Sequence, residues 1–239
     1  MARTAPSHGV NRGSTPRGVT KIMELEQLKP QEFDAHIDAG TLRLGFIGMS
    51  NAGKSYRSKK LRDEKGFLWY QVDEEIQKAL GLKNMAEISA WLGYPTSPTY
   101  PEREQKYLEL ENEFTRHASM KTGGKNFAFD TTGSVPHMQP ETLDILRQNC
   151  LLVHLDVGEG KLEQMMERFF KKPKPVAWCG HFFARPDESE EAALRRCYPE
   201  LLKTRLKKYR ELAHVTVPAD EVFNTSAEET LNAIRKRLT

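Results

Sequence analysis

An apolar run that ends in a glycine-rich signature constrains this chain more than any other feature. Leu42, Leu44, Phe46 and Ile47 read as a buried strand, and Gly48-Met49-Ser50-Asn51-Ala52-Gly53-Lys54-Ser55 follows at once, matching G-x-x-x-x-G-K-[ST]. Lys54 to Lys65 then reads as a helix, so the motif lies between strand and helix, the setting that separates a phosphate loop from a chance match in a turn. Glycines let the backbone wrap a phosphate, while successive N–H groups and the helix N-terminus supply positive potential. Gly48, Ser50, Asn51, Ala52, Gly53, Lys54, Ser55 and Tyr56 are therefore the candidate nucleotide-binding residues. Lys54 is placed to reach the β and γ oxygens and Ser55 to ligate Mg²⁺, so ATP and Mg²⁺ are the expected cofactors.

The remainder alternates strand and helix. Phe67–Gln71 reads as a second strand and Asp73–Leu80 as a helix with an acidic first turn. Ala86–Leu92 and Glu102–Met120 read as helices, and Phe127–Asp130 as a strand. Pro140–Arg147 is read as helical, Leu151–Leu155 as a strand and Lys161–Phe170 as a helix. Lys171–Pro186 mixes lysines, prolines and aromatics without a period and reads as an irregular loop. Helices at Glu190–Arg196 and Pro199–Leu212, a strand at Val215–Val217 and a helix at Ala227–Leu238 complete the chain. This alternation predicts a three-layer α/β/α P-loop NTPase fold with a mainly parallel five-stranded sheet, ligands sitting outside the carboxyl ends of the strands. At 239 residues, one domain is the economical solution. It is placed at 41–239 with a helical acceptor-binding subdomain and a lid at about 171–198, after an extension over 1–40 that is partly disordered and carries a short helix at Pro30–Asp38.

Charge and cysteines narrow the function further. The net charge of +3 comes from 36 basic and 33 acidic residues, a balance that argues against a nucleic-acid partner. Cys150, Cys179 and Cys197 are too few and too irregular for a disulfide framework, and with His181 they match no common zinc spacing. No apolar run reaches the roughly 20 residues that cross a bilayer, so no membrane partner is expected and the cytoplasm is the default compartment. Residues 1–20 carry Arg3, Arg12 and Arg17 and no acid; they read as a disordered tail, with an organellar import signal as the alternative.

Asp130 closes an apolar strand, where P-loop proteins place a carboxylate that holds Mg²⁺ or its water, so Ser55 and Asp130 are the candidate metal ligands. Thr131, Thr132 and Gly133 follow in a turn. From Leu42 onward the chain resembles the shikimate kinases, P-loop enzymes related to nucleoside monophosphate kinases. LGFIGMSNAGKS looks like their first strand and phosphate loop, and FLWYQVDEEIQKALG resembles the strand and helix bearing their D-x-D motif, with Asp73 on the second aspartate and Gln71 in place of the first. The resemblance implies that Asp73 lies beside the acceptor hydroxyl, where it would orient or deprotonate it.

YPEREQKY resembles the family's F-R-x-x-E segment, although Pro101 stands where the arginine is expected and Arg103 is the nearest substitute. FDTTGSV occupies the place of the triple-glycine turn, keeping Gly133, with Thr132 beside it. KTRLKKYRELAHVTV resembles the R-x-P-x-Y segment, which puts Arg205 on a carboxylate-binding arginine and Tyr209 on its tyrosine. Lys174-Pro175 and Arg185-Pro186 resemble the arginine-proline pair of the lid, so Lys174 and Arg185 join Lys54 and Asp73 as candidate catalytic residues. Asn224, after the last strand, falls in the adenine-contacting segment. His154, within an apolar strand, reads as a core histidine with its hydrogen bonds satisfied.

These features imply an ATP-dependent kinase for a hydroxyl of a small, anionic acceptor, with Arg103, Thr132, Gly133, Arg205 and Asp73 as acceptor-binding candidates. The departures lie on the acceptor side, so the acceptor need not be shikimate. Asp130-Thr131-Thr132-Gly133 also reads D-x-x-G, as in GTPase switches, but no N-K-x-D follows. A noncatalytic nucleotide-binding descendant of a kinase is the third alternative. The sequence leaves the oligomeric state open.

Overall fold

The structure is a computed structural model that describes residues 28–121, 123–172 and 174–239; the reading of residues 1–20 lies outside them. Five strands form one sheet: β1 (Arg43–Ile47), β2 (Leu68–Gln71), β3 (Phe127–Asp130), β4 (Leu151–Asp156) and β5 (Val215–Pro218). Their order is β2-β3-β1-β4-β5 and every pairing is parallel. Burial follows that order. The inner strands β1, β3 and β4 are buried almost throughout, whereas β2 and β5 at the edges are not.

Strand periodicity divides the core into two layers. Leu44 and Phe46 of β1, Ala128 of β3, and Leu151, Val153 and Leu155 of β4 point to one face, which α2 (Lys54–Lys65) and α9 (Ala227–Arg235) cover. Phe127, Phe129 and Leu152 point to the other. That second face packs against α3 (Val72–Ala79), α5 (Tyr100–Met120), α6 (Pro140–Asn149) and α8 (Glu190–Leu212), with α4 (Met85–Leu92) lying on α5 and α7 (Leu162–Lys171) on α8. The three-layer expectation is met, with the strand ends pointing toward the phosphate loop.

Two expectations change. The helix at the end of the predicted extension, α1 (Pro30–Asp38), belongs to the domain: Phe33 is fully buried with Leu28 in the core beneath α2 and α9, and Asp34 pairs with Arg235 of α9 at 2.7 Å. A boundary at residue 41 therefore falls too late. The break expected at Pro199 is also absent, because α8 runs through it as one helix. An internal proline costs about 3 kcal/mol. Here the buried stripe continues across it, with Ala193, Leu194, Cys197 and Tyr198 on one side and Leu201, Leu202 and Leu206 on the other. Burial of about 1.5–3 kcal/mol per large apolar side chain outweighs the loss.

Candidate active site

The phosphate loop is set by backbone shape before any ligand arrives. Gly48 has φ +139°, and a Cβ there would lie 2.8 Å from the Leu155 carbonyl oxygen, so no larger residue fits between β1 and β4. Gly53 caps α2 at φ +94° and Asn51 stands in the left-handed region at φ +66°. Lys54 folds back over the loop, its Nζ donating to the carbonyls of Gly48 at 2.8 Å and Met49 at 3.0 Å. Burial lowers its pKa to about 8, while Asp73 and Asp130 oppose that fall.

At the first turn of α2, Ser55 Oγ donates to Asp130 Oδ2 at 2.6 Å. Asp130 ends β3, in register with Gln71 at the end of β2. A hydroxyl and a carboxylate are hard oxygen donors, and Mg²⁺ prefers a few such ligands alongside water and phosphate oxygens, so the pair fits that ion. Burial raises the Asp130 pKa, with the hydrogen bonds from Ser55 and Trp69 acting against it. Among the described residues no three His, Cys, Asp or Glu side chains cluster to hold a metal by themselves, and Cys179, His181 and Cys197 form no such site.

A cavity of about 700 Å³ adjoins this loop, and Asp73, Tyr107, Gly133, Ser134, Lys174 and Arg205 are among the residues lining it. Asp73 sits in the first turn of α3, and burial lifts its pKa to about 6 despite the opposing pull of Lys54. Tyr107 donates to Asp73 Oδ1 at 3.4 Å. Arg205, buried on α8, donates to the Ala177 carbonyl, and Tyr209 one turn on donates to the Gly133 carbonyl. Lys174 reaches Asn51 Oδ1 at 2.7 Å, which joins the segment after α7 to the phosphate loop. A second cavity, of about 480 Å³, holds Asn224, Phe223 and Tyr56 beside Ser50 to Gly53. Arg168 of α7 lines both cavities.

Several candidates fall elsewhere. Arg103 donates to the Trp91 carbonyl, tying α5 to α4, and does not line the cavity. Arg185 is exposed, with its backbone N–H on Glu188, while Lys174 occupies the loop side. Thr132 is buried under its turn against Ser134, and Ser134 faces the cavity instead. His154 is buried against Tyr209, ring centroids 5.4 Å apart, yet neither ring nitrogen has a partner. It is thus not satisfied, and burial lowers its pKa to about 4, which keeps it neutral.

The start of α5 explains the mismatch at Pro101. Pro101 lies in the first turn of that helix, where its missing N–H costs nothing, and Glu104 turns away from the cavity to accept from Tyr100 and from the backbone N–H of Cys179 at 2.9 Å. Tyr107 and Glu111, farther along, lie nearer the chemistry. Tyr107-Leu108-Glu109-Leu110-Glu111 has the same aromatic-to-glutamate spacing as Tyr100–Glu104, again with no arginine, so the cavity lacks that guanidinium on either alignment.

Glu111 itself escaped the sequence reading. It is fully buried, Oε2 accepting from Ser134 at 2.8 Å and Oε1 unpartnered, and burial raises its pKa to about 8. A carboxyl whose folded pKa lies above its unfolded value favours folding at low pH, and that contribution fades between about pH 4.5 and 8. Glu111→Gln is therefore expected to raise the melting temperature at pH 8.5 and to leave it unchanged near pH 4, measured by thermal denaturation across that range. Arg57 was missed too. From α2 it donates to Thr225 Oγ1 and Thr230 Oγ1 at 3.0 and 3.1 Å, fixing the Asn224 turn to the helix that follows the phosphate loop.

Sheet order, phosphate loop, the Ser55–Asp130 pair and an adjoining polar cavity together define a P-loop phosphotransferase. The chain belongs to the shikimate kinase family, whose model, described as shikimate kinase, matches residues 50–236. A shikimate kinase of Dehalococcoides mccartyi is 24% identical over 196 residues, covering 82% of this chain and 92% of its own. Among solved structures, shikimate kinase from Acinetobacter baumannii in complex with shikimate superposes with a TM-score of 0.55 at 21% identity, covering 83% of this chain and 92% of its own. Shikimate kinase from Bacteroides thetaiotaomicron gives 0.55 at 18%, covering 82% and 97%. The protein is accordingly an ATP-dependent small-molecule kinase. No helix among the described residues is long and apolar enough to cross a membrane.

Proposed function

We propose that this kinase transfers the γ-phosphoryl group of ATP to a hydroxyl of a small anionic acceptor seated between Asp73 and Arg205, with Mg²⁺ held from Ser55 and Asp130. The observation that carries this reading is one cavity whose walls include Asp73 and Arg205 together with Ser55, Asp130 and Lys174. Asp73, half ionised near pH 6, accepts a hydrogen bond from the acceptor hydroxyl and aligns its oxygen with the γ-phosphorus. Lys54 and Lys174 bring positive charge to the transferring group, and Asn224 and Phe223 border the space for the base. Mg²⁺, when bound, neutralises phosphate charge.

Arg205 is set to hold the acceptor's negative group, and with Pro101 or Leu108 in place of a second arginine it acts without the partner expected of the family. Arg205 suits an acceptor that carries an anionic group, and shikimate is only one candidate. Turnover of hydroxy acids should be compared with that of their uncharged amides. The acid should be favoured at least tenfold in kcat/KM, and Arg205→Gln should raise KM and erase the preference with a smaller change in kcat. Equal turnover of acid and amide would contradict the role of Arg205.

A further inference from the structure

Trp69 has no role in the chemistry above, yet it is bound to the metal carboxylate. It lies on β2, an edge strand, where an indole would ordinarily give its N–H to water. Instead Nε1 donates to Asp130 Oδ1 at 2.7 Å, while Ser55 holds Oδ2 at 2.6 Å. The reach is diagonal, since Trp69 is in register with Ala128, two residues before Asp130. Arg62 of α2 covers the indole ring, its guanidinium carbon 4.8 Å from the centroid, and limits rotation of the side chain.

Asp130 is therefore gripped from both sides, by the helix of the phosphate loop and by the edge strand. A carboxylate has about four acceptor positions, and two are used here, so its plane is fixed while the remaining lone pairs stay available. Groups that orient a metal carboxylate in this way govern its affinity for the ion, by about ten- to a hundredfold in known sites. We propose that Trp69 is a positioning residue for the divalent cation, holding Asp130 in the orientation in which it receives Mg²⁺ or a water of its shell. This rests on the reading of Ser55 and Asp130 as the metal pair.

Calorimetric titration of ADP with and without Mg²⁺ measures the coupling between nucleotide and metal. In the full chain, Trp69→Phe should lower that coupling about tenfold while metal-free ADP binds as before. The Mg²⁺ concentration for half-maximal activity should rise about as much, and kcat should recover at saturating Mg²⁺. The second readout keeps the intact side chain: the indole N–H proton resonance absent from Trp69→Phe should lie downfield in the wild type and move upfield in Asp130→Asn. Unchanged coupling in a folded Trp69→Phe protein would overturn the role of Trp69. Unchanged coupling in Asp130→Asn and Ser55→Ala would instead overturn the metal pair, and with it this inference.

Discussion

Lys54→Met should lower kcat by about 10²–10³-fold without unfolding the protein. The ammonium is the loop's internal latch, through the Gly48 and Met49 carbonyls, and on the proposed reading the charge that meets the phosphates. On that reading, an entering triphosphate would exchange those two carbonyl contacts for phosphate oxygens. Methionine preserves the length and packing of the side chain but removes the donor. Nucleotide affinity should fall roughly ten- to hundredfold, the scale of lost hydrogen bonds to a charged group. Since Lys54 holds down the pKa of Asp73, its removal should also move the acidic limb of any residual activity to higher pH. Steady-state kinetics and ADP calorimetry on the same preparation check both effects. Wild-type turnover by Lys54→Met would remove the ammonium from the chemistry.

Asp73→Asn should lose activity by about 10²–10⁴-fold and gain stability. The carboxylate is half-buried in the cavity wall, and the cost of ionising it there raises its pKa from the ordinary 3.8 to about 6. Because the folded-state value is the higher one, this group favours folding below about pH 4, and that contribution disappears as the pH rises through 6. At pH 8 the asparagine variant, which carries no charge to bury, should be more stable by about 1–3 kcal/mol. Wild-type kcat/KM should fall below about pH 6 as Asp73 takes up a proton, and the residual activity of the variant should lack that limb. Thermal melts at pH 4 and 8 and a pH–rate profile separate the two effects. A variant that is both active and no more stable would place Asp73 outside the site.

Where local pattern decides structure, the sequence was informative. The phosphate loop combines fixed spacing with glycines whose dihedrals other residues resist, and the strands carry a two-residue alternation that divides Leu44 and Phe46 from Phe127 and Phe129. Asp130 was singled out by its place at a strand end, whereas Asp73 and Arg205 were singled out by resemblance to the family's D-x-D and R-x-P-x-Y segments; the fold brings all three to one cavity. Long-range geometry was not legible. Glu104 belongs to the clamp on Trp178 and Cys179, seventy-four and seventy-five residues away in sequence, and only the folded chain shows that Glu111 lies beside Ser134 instead. Arg57 resembled any helix lysine or arginine until Thr225 came to meet it, 168 positions later. The continuous α8 likewise depended on the apolar stripe around Pro199 finding a core, which local propensity does not register.

Phosphorus-31 NMR of MgATP turnover, run with hydroxy-acid acceptors in turn, tests the account most directly. A phosphomonoester resonance should grow in step with ADP for at least one acceptor, and Lys54→Met and Asp73→Asn should both suppress it. Formation of ADP with inorganic phosphate alone, whichever acceptor is supplied, would contradict transfer to a hydroxyl beside Asp73.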